Sequence, residues 1–244
     1  EVYGNTSDLS SFYILGHVPV PYSGAIVPDG HNNHYGSWPA DGFYMELTSS
    51  WTDSIVNNSL SDPNDRMLNV PGDGKYDQNN FLSELELMVG RVDLYDMPAF
   101  SKSETELLRQ YLNRSSDFKN NKFYPDKNYI IRDGFLGNSG RFTQSGYRTS
   151  VFFGNDKLNI SDDWDVVQND SFIFGAGVGP GSYTSASRVS DTNTYSLYPH
   201  YVVFNQLFGS YFGDWDVTNN FLKAPLAAEG YGLTSAWSGR PIWY

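Results

Sequence analysis

The chain has 244 residues, with 16 lysines and arginines against 28 aspartates and glutamates, which gives a formal net charge of −12. This length suffices for one large domain or two small ones, and an aromatic content of 16% excludes an intrinsically disordered chain. Phosphate backbones repel an acidic chain, so we expect no nucleic-acid partner. No apolar run approaches the roughly 18 residues of a membrane-spanning helix.

The chain contains no cysteine. Disulfides, zinc–thiolate sites, iron–sulfur clusters and a thiol nucleophile are therefore excluded. The sequence is also rich in asparagine, serine, glycine and tyrosine. That composition favours an extracellular surface, and we expect a secreted or cell-surface protein.

Apolar runs separated by clusters of Gly, Asn, Asp and Pro predict the secondary structure. One helix is expected to begin after Ser103, which forms a capping box with Glu106, and a second is expected over 219–228. Residues 48–80 are rich in turn formers and predict a long loop. The predicted strands cover 12–15, 43–47, 85–89, 129–131, 150–153, 171–174, 201–204 and 231–237.

The strand segments are continuous apolar runs, which are typical of strands that are covered on both faces. The sequence therefore predicts a single α/β domain over residues 1–244, with a mostly parallel sheet covered by helices on both faces. The strands at 171–174 and 201–204 are expected to lie side by side.

The loop over residues 29–41 is one candidate for chemistry. It places His31 and His34 three residues apart, close to Asp29 and Asp41. Imidazoles and carboxylates together can bind zinc or a similar metal, or act as general acid and base. The alternative, which is the commoner case, is a loop whose polar side chains bond to the backbone.

Ser210 is a candidate nucleophile, because His200 precedes the neighbouring strand and Asp214 follows it. Nucleophilic catalysis needs a base within hydrogen-bond reach of the serine. About ten residues of extended chain, roughly 30 Å, separate His200 from Ser210. The local sequence Gly209-Ser-Tyr-Phe-Gly213 also lacks the Gly-x-Ser-x-Gly pattern. Both observations disfavour a serine triad.

The segment 175–182 contains four glycines in alternation, Gly-Ala-Gly-Val-Gly-Pro-Gly-Ser. A phosphate-binding loop would need a lysine after the glycines, and none follows. A glycine-rich loop at the end of a strand, which lets two backbone segments approach closely, explains the pattern better.

The segment 69–80 partly matches a calcium-binding loop, with oxygen side chains at positions 1, 5, 9 and 12 and Gly74 at position 6. Pro71 stands where a further ligand is expected, so the match is incomplete. An ordinary Asp-Gly turn is the alternative, and Ca²⁺ is the one cofactor we expect. The predicted ligands are Asn69, Asp73, Lys75 through its carbonyl, Asp77 and Asn80.

Several segments follow one another along the chain: Phe12–Gly16, Pro39–Tyr44, Glu86–Val92 and the helix Ser103–Leu112, and then the strands 171–174 and 201–204. Taken in this order, they resemble the gingipain-type cysteine peptidase domain. In that family a strand, an Asp-x-x-Tyr segment, a Val-Gly-Arg strand and a Glu-containing helix follow one another in the same order. The segment Gly209–Leu226 also looks like a divergent branch that occurs in large exported bacterial proteins.

The resemblance implies a caspase-like sheet, export, and further sheet elements before Glu1, so that the chain would be a fragment of a longer one. It does not imply peptidase activity. Where the family has its catalytic His-Gly, this chain has the loop 175–181, and where the family has its cysteine, this chain has Leu207-Phe208-Gly209-Ser210.

The preferred interpretation is a non-catalytic, peptidase-like domain of a secreted or surface-attached bacterial protein, with a structural or binding role. Its partners would be other domains of the same longer chain, or surface proteins. One alternative is a hydrolase with a relocated active site at His31, His34 and Asp41. Another is a carbohydrate-binding domain that uses exposed tryptophans and tyrosines.

Overall fold

A computed structural model describes residues 9–58, 65–135, 147–148 and 150–238. The chain forms two compact units, residues 1–93 and residues 94–244. The prediction of a single domain over 1–244 stays a prediction. No helix in these described ranges is long and apolar enough to cross a membrane.

The N-terminal unit contains two pairs of short strands. The strand predicted at 12–15 is confirmed, and the one predicted at 85–89 begins three residues later than expected. The first and fourth strands pair in parallel, and the second and third form an antiparallel hairpin that the sequence did not predict. The strands are β1 (Ser11–Leu15), β2 (Tyr22–Ile26), β3 (Gly36–Pro39) and β4 (Met88–Val92).

The strand predicted over 43–47 is wrong. Residues Asp41–Tyr44 form a 3-10 helix, in which the amide of Phe43 donates to a carbonyl three residues earlier. The ring of Phe43 stacks on Tyr76, with centroids 4.9 Å apart, and meets Trp51 edge-on at 5.6 Å. These tertiary aromatic contacts outweigh the strand preference of the apolar run.

The C-terminal unit is built on a five-stranded sheet. It contains an α/β arrangement with a parallel sheet, as predicted, and three α-helices among its described residues. Its helices are α1 (Glu104–Lys119), α2 (Thr192–Leu197) and α3 (Ala224–Ala227). Its strands are β5 (Lys127–Asp133), β6 (Leu158–Ile160), β7 (Phe172–Val178), β8 (Gly181–Ser182), β9 (Ser185–Ala186), β10 (Ser190–Asp191), β11 (Val202–Phe208) and β12 (Thr234–Ser238).

The sheet order is β12-β11-β7-β5-β6, and every neighbouring pair is parallel. Strands β7 and β11 are adjacent, which confirms the predicted pairing of 171–174 with 201–204. Numbered along the chain, the five strands lie in the order 2-1-3-4-5. The direction of progression therefore reverses between β5 and β7, which makes that position the topological switch point.

The strand predicted over 150–153 is also wrong, because Ser150–Phe152 form a 3-10 helix. The apolar run predicts a buried strand, yet Phe152 is 87% exposed. Phe153 packs on the sheet, with its ring 5.6 Å from that of Tyr129. The apolar run 150–153 therefore contains one exposed phenylalanine and one that packs on the sheet. The apolar pattern does not distinguish these two environments.

The helix predicted over 219–228 is reduced to the single turn Ala224–Ala227. Asn219 has a left-handed φ of 53°, and its amide donates to the carbonyl of Asp96. A left-handed residue interrupts a right-handed helix, so the segment before α3 runs as turns. Helix α1, with 16 residues, is the one long helix in the described part of the sheet unit.

Helix α1 begins where the sequence predicts. The side chains of Ser103 and Glu106 form the expected capping box, in which the Ser103 amide donates to the Glu106 carboxylate at 2.8 Å. Leu107 and Tyr111 are buried, whereas Leu112 lies on the exposed side. Local sequence signals therefore determine where the helix begins, and tertiary contacts determine which of its side chains are buried.

Candidate functional site

Parallel α/β sheets bind ligands at the carboxyl ends of their strands, next to the topological switch point. In this sheet the position lies beyond β5 and β7. The amide of Gly134 donates to the carbonyl of Val178 at 2.6 Å. Arg132 Nε donates to the Arg188 carbonyl at 2.8 Å, and Arg188 Nη1 donates to the Gly134 carbonyl at 3.0 Å. Backbone from the β9–β10 connection thus lies over the described part of the switch point.

The loops that follow β7 and β11 pack against each other backbone to backbone. The amide of Gly179 donates to the carbonyl of Phe208 at 3.0 Å. A Cβ atom on Gly181 would lie 2.2 Å from the Ser210 carbonyl oxygen, and one on Gly209 would lie 2.6 Å from the Gly179 oxygen. The close backbone approach predicted for the glycine-rich segment is confirmed at these positions.

The first half of the glycine-rich segment, however, belongs to strand β7 and not to a loop. A Cβ atom on Gly175 would lie 3.1 Å from the Trp164 ring, and one on Gly177 would lie 2.8 Å from Val189. These glycines make room for large side chains that pack on the sheet. The prediction of a loop over 175–181 was wrong for 175–178, which belong to β7, and for 181, which begins β8.

His200 and Ser210 lie at opposite ends of β11. The strand has seven residues, so roughly 20 Å or more separates the two side chains. His200 is buried, and its Nε2 lies 2.7 Å from Asn205 Oδ1. Burial lowers the pKa of His200 to about 4, and the hydrogen bond to Asn205 opposes this only partly. His200 is therefore a neutral core residue, out of reach of Ser210.

Several polar side chains of the predicted histidine loop are paired, within the loop or with Arg91. His34 is buried, and its Nδ1 lies 2.6 Å from Asp29 Oδ2. Asp41 accepts two hydrogen bonds from Arg91, from Nε and Nη2, both at 2.8 Å. The amide of His31 donates to Asp29 Oδ1 at 3.2 Å. The structure thus pairs Asp41 with Arg91 and His34 with Asp29.

These hydrogen bonds engage the side-chain groups that a catalytic acid or base would need to have available. The carboxylate of Asp41 stabilises the charged form of Arg91, so the pKa of the guanidinium is raised although burial lowers it. The described residues contain no group of three or more His, Asp and Glu side chains that could hold a metal ion.

The predicted calcium ligand Asp77 faces backbone amides. Its carboxylate accepts hydrogen bonds from the amides of Ser54, Ile55 and Val56 at 2.8–3.1 Å, and from the Thr52 hydroxyl at 2.8 Å. Burial raises the pKa of Asp77, but these hydrogen bonds outweigh it and lower the pKa to about 2. Asp77 therefore anchors the 52–56 turn as a carboxylate.

The other predicted calcium ligands contact different groups. Asp73 accepts from the amides of Val70 and Lys75 at 3.2 and 2.9 Å. Asn69 is buried, and its Nδ2 donates to the Tyr76 carbonyl at 2.8 Å. Asn80 lines a separate aromatic cavity. Carboxylate–amide hydrogen bonds thus hold the described parts of the segment 48–80 together.

Calcium binding at residues 69–80 stays a prediction, and a melting experiment tests it. If an ion binds the folded state alone, millimolar calcium should raise the midpoint relative to excess chelator. The double variant Asp73→Ala/Asp77→Ala should lose that difference. Equal wild-type midpoints in calcium and chelator would contradict the site and leave the amide hydrogen bonds as the complete explanation.

Two cavities stand out in the described residues. One, of about 560 Å³, runs along α1. Three of its charged side chains have partners: Lys102 pairs with Glu229, and Arg114 donates to backbone carbonyls. The second, of about 470 Å³, lies in the N-terminal unit and has aromatic walls that include Trp38, Trp51 and Phe81.

Comparison of the chain with protein-family models, with curated proteins and with solved structures finds no match. The functional interpretation therefore depends on the geometry of the described residues.

Sequence reasoning missed the aromatic cavity. Trp51, Gln78 and Phe81 fall in or next to the long loop 48–80, where no period or motif marks them. The available signal was compositional: a loop is mostly polar, and large aromatics in one indicate a packed structure of its own. Their convergence depends on the hydrogen bonds of Asp77 and therefore could not be derived from spacing.

Proposed function

We propose that this chain is a non-catalytic, caspase-like domain of gingipain type, from a secreted or surface-attached bacterial protein, with a structural or binding role. Other domains of the same longer chain, or surface proteins, are its proposed partners. The parallel sheet and the adjacency of β7 and β11 support the proposal, since the family carries its catalytic His and Cys on two neighbouring strands of such a sheet.

The contact between two loops supports the proposal that the domain is non-catalytic. At the carboxyl ends of β7 and β11, the loops offer Gly179, Gly181, Gly209 and Ser210, and their backbones lie in direct contact. A peptide carbonyl would need space between these loops, a nucleophile and a base within hydrogen-bond reach. Backbone fills the space, and His200 lies at the far end of the strand.

A peptidase assay tests the proposal. We expect the purified chain to leave fluorogenic peptides containing Arg or Lys intact, with iodoacetamide neither labelling nor affecting it, because it contains no thiol. The variants Ser210→Ala and Asp41→Asn serve as paired controls. Cleavage that scales with protein concentration and disappears in Ser210→Ala would overturn the proposal in favour of a serine enzyme. Loss in Asp41→Asn alone would instead support the relocated hydrolase site.

A further inference from the structure

Strand β6 forms one edge of the parallel sheet, and among the described residues no strand lies on its outer side. In a parallel pair, the residues that bond to the neighbouring strand alternate with residues that face away from it. The amide of Ser161 donates to the Ile131 carbonyl at 3.0 Å, so Ser161 and Asn159 face β5. The backbone groups of Leu158 and Ile160 therefore face outward, and they make no hydrogen bond to the rest of the described chain.

Exposed apolar side chains lie beside this edge. Ile160 projects from the same face of the sheet as the core residue Tyr129, and it is 66% exposed. Phe153 packs on that face, with its ring stacked on Tyr129. The two residues before Phe153 in the chain, Val151 and Phe152, are 75% and 87% exposed. The edge therefore combines outward-facing backbone groups with an apolar surface.

An open edge of this kind is a template for another strand. Many proteins protect their edge strands with a lysine, a proline or a bulge, and the strand Leu158–Ile160 contains neither lysine nor proline. Its length of three residues is the one protective feature that it has. The occupant that satisfies its backbone groups is therefore a short extended strand.

The outward-facing groups of β6 match those of a second copy of the same strand. When two β6 strands run antiparallel about a two-fold axis at Asn159, Leu158 of each copy lies opposite Ile160 of the other. Residues that face each other in this way exchange both of their N–H···O=C hydrogen bonds. All the outward donors and acceptors of the two strands are then paired, as a self-complementary two-fold contact requires.

The charges at the two ends of β6 are also complementary in an antiparallel pair. Lys157 precedes the strand, and Asp162 and Asp163 follow it. All three residues are exposed, and Lys157 has one carboxylate neighbour in its own copy, Asp156 at 3.4 Å. Antiparallel pairing brings Lys157 of each copy towards the two carboxylates of the other copy. Parallel pairing would instead place like charges side by side, which is unfavourable.

We propose that the chain forms a two-fold dimer through β6, in which the sheets of the two copies join into one continuous sheet. Val151, Phe152 and Ile160 of both copies contribute apolar surface beside the junction. The contact is small and each copy carries a charge of −12, so the Kd should be on the order of tens of micromolar. The proposal does not depend on the peptidase-like interpretation of the sheet.

Sedimentation equilibrium of the whole chain measures the association. The salt concentration is held at about 0.15 M, where charges more than about 8 Å apart are largely screened. We expect the average mass to rise from that of the monomer towards that of the dimer as the protein concentration passes through the expected Kd.

Two variants separate the apolar contact from the hydrogen bonds. Phe152→Ser removes an exposed ring, and Ile160→Pro removes an outward N–H that makes no bond within the described chain. Each should raise the Kd about tenfold. Leu197→Ser is the matched control, because Leu197 is 75% exposed at the end of α2 and lies outside the proposed contact. It should associate as the wild type does.

Single cysteines test the register, since the chain contains no cysteine of its own. At the proposed axis, the two copies of Asn159 face each other with Cα atoms about 4.5 Å apart, which is within the range of a disulfide. Asn159→Cys should therefore form a covalent dimer with oxidised glutathione. Ser161→Cys is the control, because its two copies would lie about 13 Å apart or more, beyond that range.

Three results would overturn the proposal. The first is a monomer mass at every protein concentration. The second is unchanged association in both Phe152→Ser and Ile160→Pro, and the third is equal crosslinking of Asn159→Cys and Ser161→Cys, since either assigns the contact to another surface or register. Circular dichroism of each variant separates a lost contact from a lost fold. None of these results bears on the peptidase assay, so the two proposals fail separately.

Discussion

Replacing Arg114 by methionine should lower the free energy of unfolding of the C-terminal unit by about 3–5 kcal/mol. Arg114 is 6% exposed, and its guanidinium lies over the end of α3. Its Nη1 donates to the Ala228 carbonyl at 2.7 Å, and its Nη2 donates to the Leu226 carbonyl at 2.5 Å. The last carbonyls of a helix have no partner within the helix. Arg114 supplies the hydrogen bond to the Leu226 carbonyl, and it shares the Ala228 carbonyl with Gln110.

The positive charge of Arg114 also contributes to the loss of stability expected for Arg114→Met. A cation at the carboxyl end of a helix interacts favourably with the helix dipole, although burial lowers the pKa of Arg114 to about 10. Gln110, one turn earlier on α1, donates to the carbonyls of Ala227 and Ala228 at 3.0 Å. The two side chains together attach the long helix to the segment 226–228.

Urea denaturation, followed by circular dichroism, measures the change. Arg109→Met is the matched control, because Arg109 is exposed on the same helix, and it should stay within about 0.5 kcal/mol of the wild type. Arg114→Lys keeps the charge but not the paired donors and should fall between the two. If Arg114→Met unfolds within 1 kcal/mol of the wild type, about the worth of one ordinary hydrogen bond, the assigned role is wrong.

Acidification from pH 7 to pH 4 should destabilise the wild type by about 3 kcal/mol more than the variant His200→Gln. The imidazole of His200 is buried, stacked near Trp164 and edge-on to Tyr195, and burial lowers its pKa to about 4. The unfolded chain regains the ordinary value of 6.5 and takes up its proton first as the pH falls. Stability linked to the neutral imidazole is therefore complete above pH 6.5 and lost progressively down to pH 4.

The variant His200→Gln retains a donor for Asn205 Oδ1 but has no proton to bind, so it isolates the contribution of this residue from that of the carboxylates. Denaturation curves across the pH range give the comparison, and NMR titration of the imidazole gives the pKa directly. Parallel pH profiles for wild type and variant, or a measured pKa close to 6.5, would show that His200 is not held neutral by burial.

The elements that local rules specify were predicted well. The start of α1 depends on Ser103 and Glu106, which are three residues apart, and the structure has the capping box there. The strands β7 and β11 were predicted from runs of apolar residues long enough to be buried on both faces. In these cases the residues that determine the structure are neighbours in the chain.

The two wrongly predicted strands share one cause. The runs at 43–47 and 150–153 have the composition of strands. Both contain residues of 3-10 helices instead, because Phe43 and Phe153 pack on aromatic rings that are distant in the chain. Arg114 was not predicted as a buried residue, since its partners are carbonyls more than a hundred residues away. Local pattern contains no information on such partners.

The sequence by itself determined that no thiol chemistry is available, that the charge is strongly negative, and that an α/β sheet with β7 beside β11 would form. Only the tertiary structure decided what the polar residues do. In the sequence, Asp41 and Asp77 are equally plausible ligands. In the folded chain, Asp41 accepts hydrogen bonds from Arg91, and Asp77 accepts them from three backbone amides. A carboxylate takes the nearest strong donor, and which donor is nearest depends on how the whole chain packs.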